Sequence, residues 1–160
     1  RARAVAGDSA LGGRFTRVRN ALLSAPRDAA GTREEIGSMR KRWRAERDRS
    51  DAAGFDLKQG EGGLVDIEFM LQGLVLLHSA AQPALLASGN TAMLIAAAAH
   101  AGIMTEDDAR TLAGAHAELL ARAIGCTLDG RPRIVARDAD IEACAARVRS
   151  IACRLGLLDA

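Results

Sequence analysis

Apolar residues along this chain recur at intervals of three and four, the spacing of one helical face. Leu11, Phe15, Val18 and Leu22 mark a helix over residues 9–23, with Asp8 or Ser9 at its start and Pro26 beyond its end. A second helix is predicted from about Thr32 to Arg49, with a thin stripe of Ile36, Met39 and Trp43. So narrow a stripe suits a helix that leans on a partner surface rather than one inside a core. From Leu64 to about Ala80 the pattern changes: Leu64, Ile67, Leu71, Leu74 and Val75 fill one face, and Phe69, Leu76 and Leu77 another. A helix apolar nearly all round is surrounded by others.

Pro83 ends that segment, and Gly89-Asn-Thr91 opens a helix through His100 that stops at Gly102. Thr105-Glu-Asp-Asp108 resembles a capping box, with acids at the favourable dipole end of a helix to about Ile124. Residues 125–137 read as an irregular connection, and Asp138 caps a last helix to Leu155 that Gly156 stops. Ile134-Val135 is too short to count as a strand. The pattern therefore predicts an all-α bundle of about six helices around a central apolar helix, 64–80. Residues 1–160 form a single helical domain, with 55–160 as its core and 1–50 as flanking basic helices.

Composition agrees with this reading. The 160 residues are 49% hydrophobic but only 2% aromatic, and Ala and Leu favour helix over sheet. The net charge of +2 is unevenly spread: the first 50 residues carry 13 Lys/Arg against 6 Asp/Glu, or +7, and the rest 9 against 14, or −5. The first third therefore faces something acidic. Glu34, Glu35, Glu46 and Asp48 interrupt the basic run, and Trp43 is its one aromatic. Arg40, Arg42, Arg44 and Arg47 are accordingly expected to serve intramolecular or protein contacts, with no nucleic acid as partner. No window is long and apolar enough for a membrane span, and Arg1-Ala-Arg-Ala-Val lacks a secretory hydrophobic region. The chain reads as soluble and cytoplasmic. Cys126, Cys144 and Cys153 have no metal-like spacing, Cys144 and Cys153 read as buried thiols on a helix, and no His has a second ligand at i+3 or i+4.

Chemistry concentrates between Phe55 and Gln72. Lys58 precedes Gly60, Gly62 and Gly63, and the glycines lead directly into the central helix. A cation, a pliable loop and a helix N-terminus can bind an anion. The same spacing also suits a loop that only turns the chain into a buried helix. Asp66 and Glu68 resemble a metal-binding pair, but on a helix residues i and i+2 point roughly 160° apart. Both are better read as structural acids, stabilising the helix N-terminus or pairing with Lys58 or the arginines of the first helices.

Asp56, Leu57, Lys58, Gly60, Gly62, Gly63, Asp66, Ile67, Glu68, Phe69 and Gln72 resemble the signature of glutamate–ammonia-ligase adenylyltransferase. This family adds AMP to glutamine synthetase and removes it. Arg1-Ala-Arg3 through Gly7-Asp8 resembles the segment following that family's nucleotidyltransferase fold. Asn90 with Leu94, and Gly102-Ile-Met104, resemble its later helices. The likeness weakens after about Glu118. Where the family often has Ala-Tyr and Leu-Arg, this chain has Ala115-His116 and Leu119-Leu120.

The resemblance implies a helical domain stacked on a nucleotidyltransferase fold, favouring the C-terminal, adenylylating half. The chain ends soon after a helix stop, which fits a C-terminal end. The family's catalytic carboxylates lie in the preceding fold, so this chain is expected to bind no cofactor itself and to be inactive alone. Mg²⁺ and ATP are implied for the full-length enzyme. Lys58, Gly60, Gly62 and Gly63 are the candidate phosphate-binding or domain-docking residues, and Asp66, Glu68, Gln72 and Arg3 are structural or interface residues. No catalytic or metal-ligating residue is expected. The implied partners are the chain's own nucleotidyltransferase domain and glutamine synthetase. A regulatory module binding the PII signalling protein, glutamine or another domain is the alternative. The helical domain of PII uridylyltransferase is a third reading, against which the Asp66-Ile-Glu-Phe69 quartet argues.

Overall fold

In the computed structural model, residues 2–158 are described. Arg1, at the head of the family-like opening stretch, and Asp159-Ala160, expected to mark a chain end, lie outside the described residues. Six α-helices are present among the described residues: α1 (Ser9–Leu23), α2 (Ala29–Arg47), α3 (Leu64–His78), α4 (Thr91–His100), α5 (Glu106–Leu128) and α6 (Ala139–Arg154). A 3₁₀ turn, Pro83–Leu86, joins α3 to α4. No helix is long and apolar enough to cross a membrane.

Five of the six helices start on a side-chain cap that the sequence supplies. Asp8, Asp28, Asn90, Thr105 and Asp138 each accept a hydrogen bond from a first-turn amide. Asp28 moves the start of α2 three residues ahead of its predicted position. The exception is α3, whose cap residue is Gly63 and has no side chain to offer.

Helix α3 occupies the centre and packs against α2, α4, α5 and α6. Ile67, Met70, Leu71 and Leu74 meet Leu94 and Ile95 of α4, Leu112 and Leu119 of α5, and Ile141 and Val148 of α6 in one core. Small residues set the helix spacing. A Cβ on Gly73 would stand 2.7 Å from Leu157 and 3.2 Å from Ile36, so this position lets both α2 and the C-terminal turn close onto α3.

Two expectations are corrected. Residues 134–136 do form a strand, β2 (Ile134–Ala136), pairing antiparallel with β1 (Gly54–Asp56). Two extended segments too short to bury a face alone acquire a ladder from each other, which no local pattern reveals. The expectation that Cys153 is buried fails: it lies on the outer face of α6 and is exposed, whereas Cys126 and Cys144 are buried. Burial raises the Cys144 thiol pKa, and Glu118 adds to the effect. A thiol titration of the native protein is therefore expected to give one rapid equivalent, from Cys153, with the other two reacting only on unfolding. Two rapid equivalents would contradict the burial of Cys126 on α5 or of Cys144 on α6.

Candidate functional site

The loop between β1 and α3 is built by carboxylates. Asp56, buried at the end of β1, accepts at Oδ1 from the amides of Lys58 and Gln59, both at 2.9 Å. Its own amide donates to Ser50 Oγ at 2.9 Å. The chain then turns back so that Leu57 O and Lys58 O accept from the Leu64 and Val65 amides, both at 3.0 Å. Loop carbonyls thus replace the missing cap of α3.

The three glycines are packed by their own chain. A Cβ on Gly60 would stand 2.6 Å from Asp56 O and 2.9 Å from the Phe55 ring. One on Gly63 would stand 2.9 Å from Gly60 O. Gly62 has φ of +85°, and a Cβ there would meet the Ala145 backbone of α6, 2.8 Å from its Cα. The Gly60 and Gly63 amides donate to Asp56 O and Gly60 O. The space these residues clear is filled by α6 and the loop itself, so it is not left open for a phosphate or another surface. What the loop presents outward is Lys58, which is exposed and makes no ion pair among the described residues.

Asp66 and Glu68 point to different neighbours, as their helical offset requires. Asp66, 2% exposed, accepts from Arg40 Nε, from Arg44 Nη2 at 3.1 Å and from the Gly62 amide at 2.6 Å. Arg40, itself 1% exposed, also donates through Nη2 to Gln59 O at 2.7 Å. Arg44 reaches Glu61 at 2.7 Å. Around this cluster Trp43 packs edge-on to Phe69 with ring centroids 5.5 Å apart. The acidic surface sought by the basic run of α2 is therefore inside the same chain, and α2 leans on α3. Arg42 and Arg47 stay exposed, with Arg47 over the Trp43 ring.

Glu68 faces a cleft of about 670 Å³ lined by Arg3, Asn90, Thr91, His116 and Leu120. Four stretches far apart in sequence converge here: the N-terminal segment, the middle of α3, the start of α4 and the middle of α5. Asn90 is held by its capping bond to the Met93 amide at 3.2 Å. His116 and Leu120, where the chain departs from the family pattern, fall in this cleft. The sequence singles out Arg3 and Glu68 separately but gives no sign that they meet. Gln72 lies one turn on, exposed, beside Arg19, Leu76 and Leu85. The cleft combines a guanidinium, a carboxylate, an amide and an imidazole, a set suited to orienting a polar group.

Stability measurements separate packing from approach at the loop. Arg40→Ala leaves Asp66 buried beside one remaining guanidinium and is expected to cost about 3–5 kcal/mol by chemical denaturation. On sequence alone, Gly62→Val reads as a block to an approaching surface. Its collision with Ala145 makes it a folding defect of about 2–4 kcal/mol instead, from overpacking and a strained φ. Unfolding free energies within about half a kcal/mol of the parent, the usual range at exposed sites, would overturn both expectations.

The family model described as GlnD PII-uridylyltransferase matches residues 32–128. A bifunctional glutamine synthetase adenylyltransferase/adenylyl-removing enzyme of Xanthomonas axonopodis pv. citri is 51% identical over 136 residues, 85% of this chain and 14% of the relative. That of Stenotrophomonas maltophilia (strain R551-3) is 50% identical over 147 residues, 91% of this chain and 16% of the relative. A more distant relative with the same description, from Nitrosococcus oceani, is 41% identical over 116 residues, 72% of this chain and 12% of the relative. The chain thus spans about a sixth or less of the curated relatives it matches. The matched region runs from the start of α2 to the end of α5, through the loop, α3 and the cleft. The chain belongs to the family of the GlnD PII-uridylyltransferase model and, within it, is a homologue of the bifunctional glutamine synthetase adenylyltransferases.

Proposed function

We propose that this chain is the helical domain that follows a nucleotidyltransferase fold in such an enzyme, and that it supports that fold's active site without catalysing transfer alone. The observation that carries the reading is the outer face of α1. Leu11, Phe15, Val18 and Leu22 are 63%, 43%, 61% and 63% exposed, and α1 buries no residue. An aligned stripe of large apolar side chains on a capped helix marks a contact surface. Each such side chain gains roughly 1.5–3 kcal/mol when fully covered. The neighbouring fold of a longer polypeptide is the occupant proposed for it.

Lys58 and the cleft holding Arg3, Glu68 and His116 are the polar parts of the same proposed boundary. Among the described residues, Glu68 is the one carboxylate lining the cleft. One carboxylate does not suffice to hold Mg²⁺ against a nucleotide. The donor set of this cleft therefore does not fit the metal. The role left to the chain is to orient: Glu68 and Arg3 hold polar groups at the domain boundary, and Lys58 adds a point charge suited to phosphate or an acidic surface.

The experiment uses the full-length enzyme with glutamine synthetase and labelled ATP. Val18→Glu and Lys58→Ala are each expected to lower adenylyl transfer roughly ten- to hundred-fold, the loss of one buried apolar contact or one charge-assisted hydrogen bond. Melting of the 160-residue chain should be unchanged by either, since both sites are exposed. Wild-type turnover in Val18→Glu would remove α1 from the interface, and in Lys58→Ala would remove the loop. Label incorporation by the 160-residue chain alone would refute the division of roles.

A further inference from the structure

A second cavity of about 670 Å³ lies between α2 and the turn that follows α6, with Gly156, Leu157 and Leu158 along one side. Arg33, Arg40, Lys41 and Arg44 line it, together with Glu34 and Glu61. The four cations sit at offsets of zero, seven, eight and eleven along α2, which places them along one face of the helix. Among the described residues, even with Asp66 counted behind Arg40, cations outnumber carboxylates four to three.

The guanidinia at the base of this cavity are incompletely used. Arg40 spends Nε on Asp66 and Nη2 on Gln59 O, but its Nη1 is buried without a hydrogen-bond partner among the described residues. Arg44 spends both Nη atoms on Glu61 and Asp66, and its Nε is likewise buried and unpartnered. Buried N–H groups of a permanent cation are costly to leave unmet. Two of them on residues lining one cavity call for an acceptor with more than one oxygen. Phosphates and carboxylates are the groups that guanidinium geometry matches.

We propose that this cavity binds a small oxyanion, a solute bearing a phosphate or carboxylate, with Arg40 and Arg44 at its base. Half-buried Arg33 and exposed Lys41 stand at its rim and draw the charge in. The site is separate from the Glu68 cleft, with which it shares no lining residue. Binding there bears on the whole fold, because Arg40 and Arg44 also fasten α2 to α3. An anion that completes their hydrogen bonds would raise the stability of the α2–α3 contact.

The test titrates the 160-residue chain with inorganic phosphate and with citrate by calorimetry, and follows melting in phosphate against chloride at matched ionic strength. Saturable binding is expected, with melting raised by about 3 °C once the ligand exceeds its dissociation constant roughly tenfold. The rim variant Arg33→Gln/Lys41→Gln should weaken binding at least about tenfold, while its melting in chloride stays that of the parent. Two outcomes overturn the proposal: no saturable binding of either anion, meaning that water meets the donors; and equal binding in the rim variant, meaning that the ion sits elsewhere.

Discussion

Asp66 stands in the first turn of the one helix that lacks a side-chain cap, and its carboxylate takes up that deficit from the opposite direction. It accepts the Gly62 amide, which belongs to the loop, and two guanidinia, which belong to α2. One side chain therefore fixes three things together: the dipole end of α3, the path of the glycine loop, and the position of α2. Desolvating such a cluster costs several kcal/mol per ion, and good geometry does little more than offset it. Its contribution is better sought in register than in net stability. A sliding α2 would strand Asp66, while the thin apolar stripe of Ile36, Met39 and Trp43 alone would tolerate a slip.

The same cluster explains the glycines. With Asp66 pulling the Gly62 amide inward, the loop lies against Ala145 of α6, and the backbone adopts a positive φ that only glycine holds without strain. Gly60 and Gly63 lie against backbone carbonyls of the same turn. Resemblance to a phosphate-cradling loop is thus a resemblance of composition. A cradle needs amides that are free, whereas here the Gly60, Gly62 and Gly63 amides all donate within the loop or to Asp66. The exposed feature is Lys58, held between Leu57 and Gln59, both buried.

Much of the fold could be read from the sequence because its signals are local. Caps at Asp8, Asn90, Thr105 and Asp138, the stop at Gly156 and the all-round apolarity of residues 64–78 each act within a few positions. The unread parts are long-range. The pairing of Gly54–Asp56 with Ile134–Ala136 joins segments far apart in the chain, and neither alternates enough to announce a partner. Arg40 looks like part of a solvated basic run because no sequence signal separates an arginine facing water from one facing Asp66. The motif residues were legible by resemblance, but their meeting was not: Arg3 and Glu68 share a cleft with His116, which departs from the family pattern, only because α3, α4 and α5 pack around it.

Helix α1 is attached in a manner unlike the rest. Arg19 donates to Leu86 O at 3.2 Å through both Nη atoms, and Ser79 Oγ donates to Leu23 O at 2.8 Å. These polar tethers hold its C-terminal half against the 3₁₀ turn and the end of α3, while Leu11, Phe15, Val18 and Leu22 face outward. A helix secured for its own sake would place that stripe on the core and leave its arginines in water, since burying apolar side chains stabilises more than tethering a guanidinium at the surface. Here the arrangement is inverted at the cost of exposed apolar area. An inversion of this kind is explained when the outward face has a second surface to cover it. The chain itself links the apolar stripe to the Glu68 cleft, because Arg3, which lines the cleft, lies a few residues before the start of α1 at Ser9.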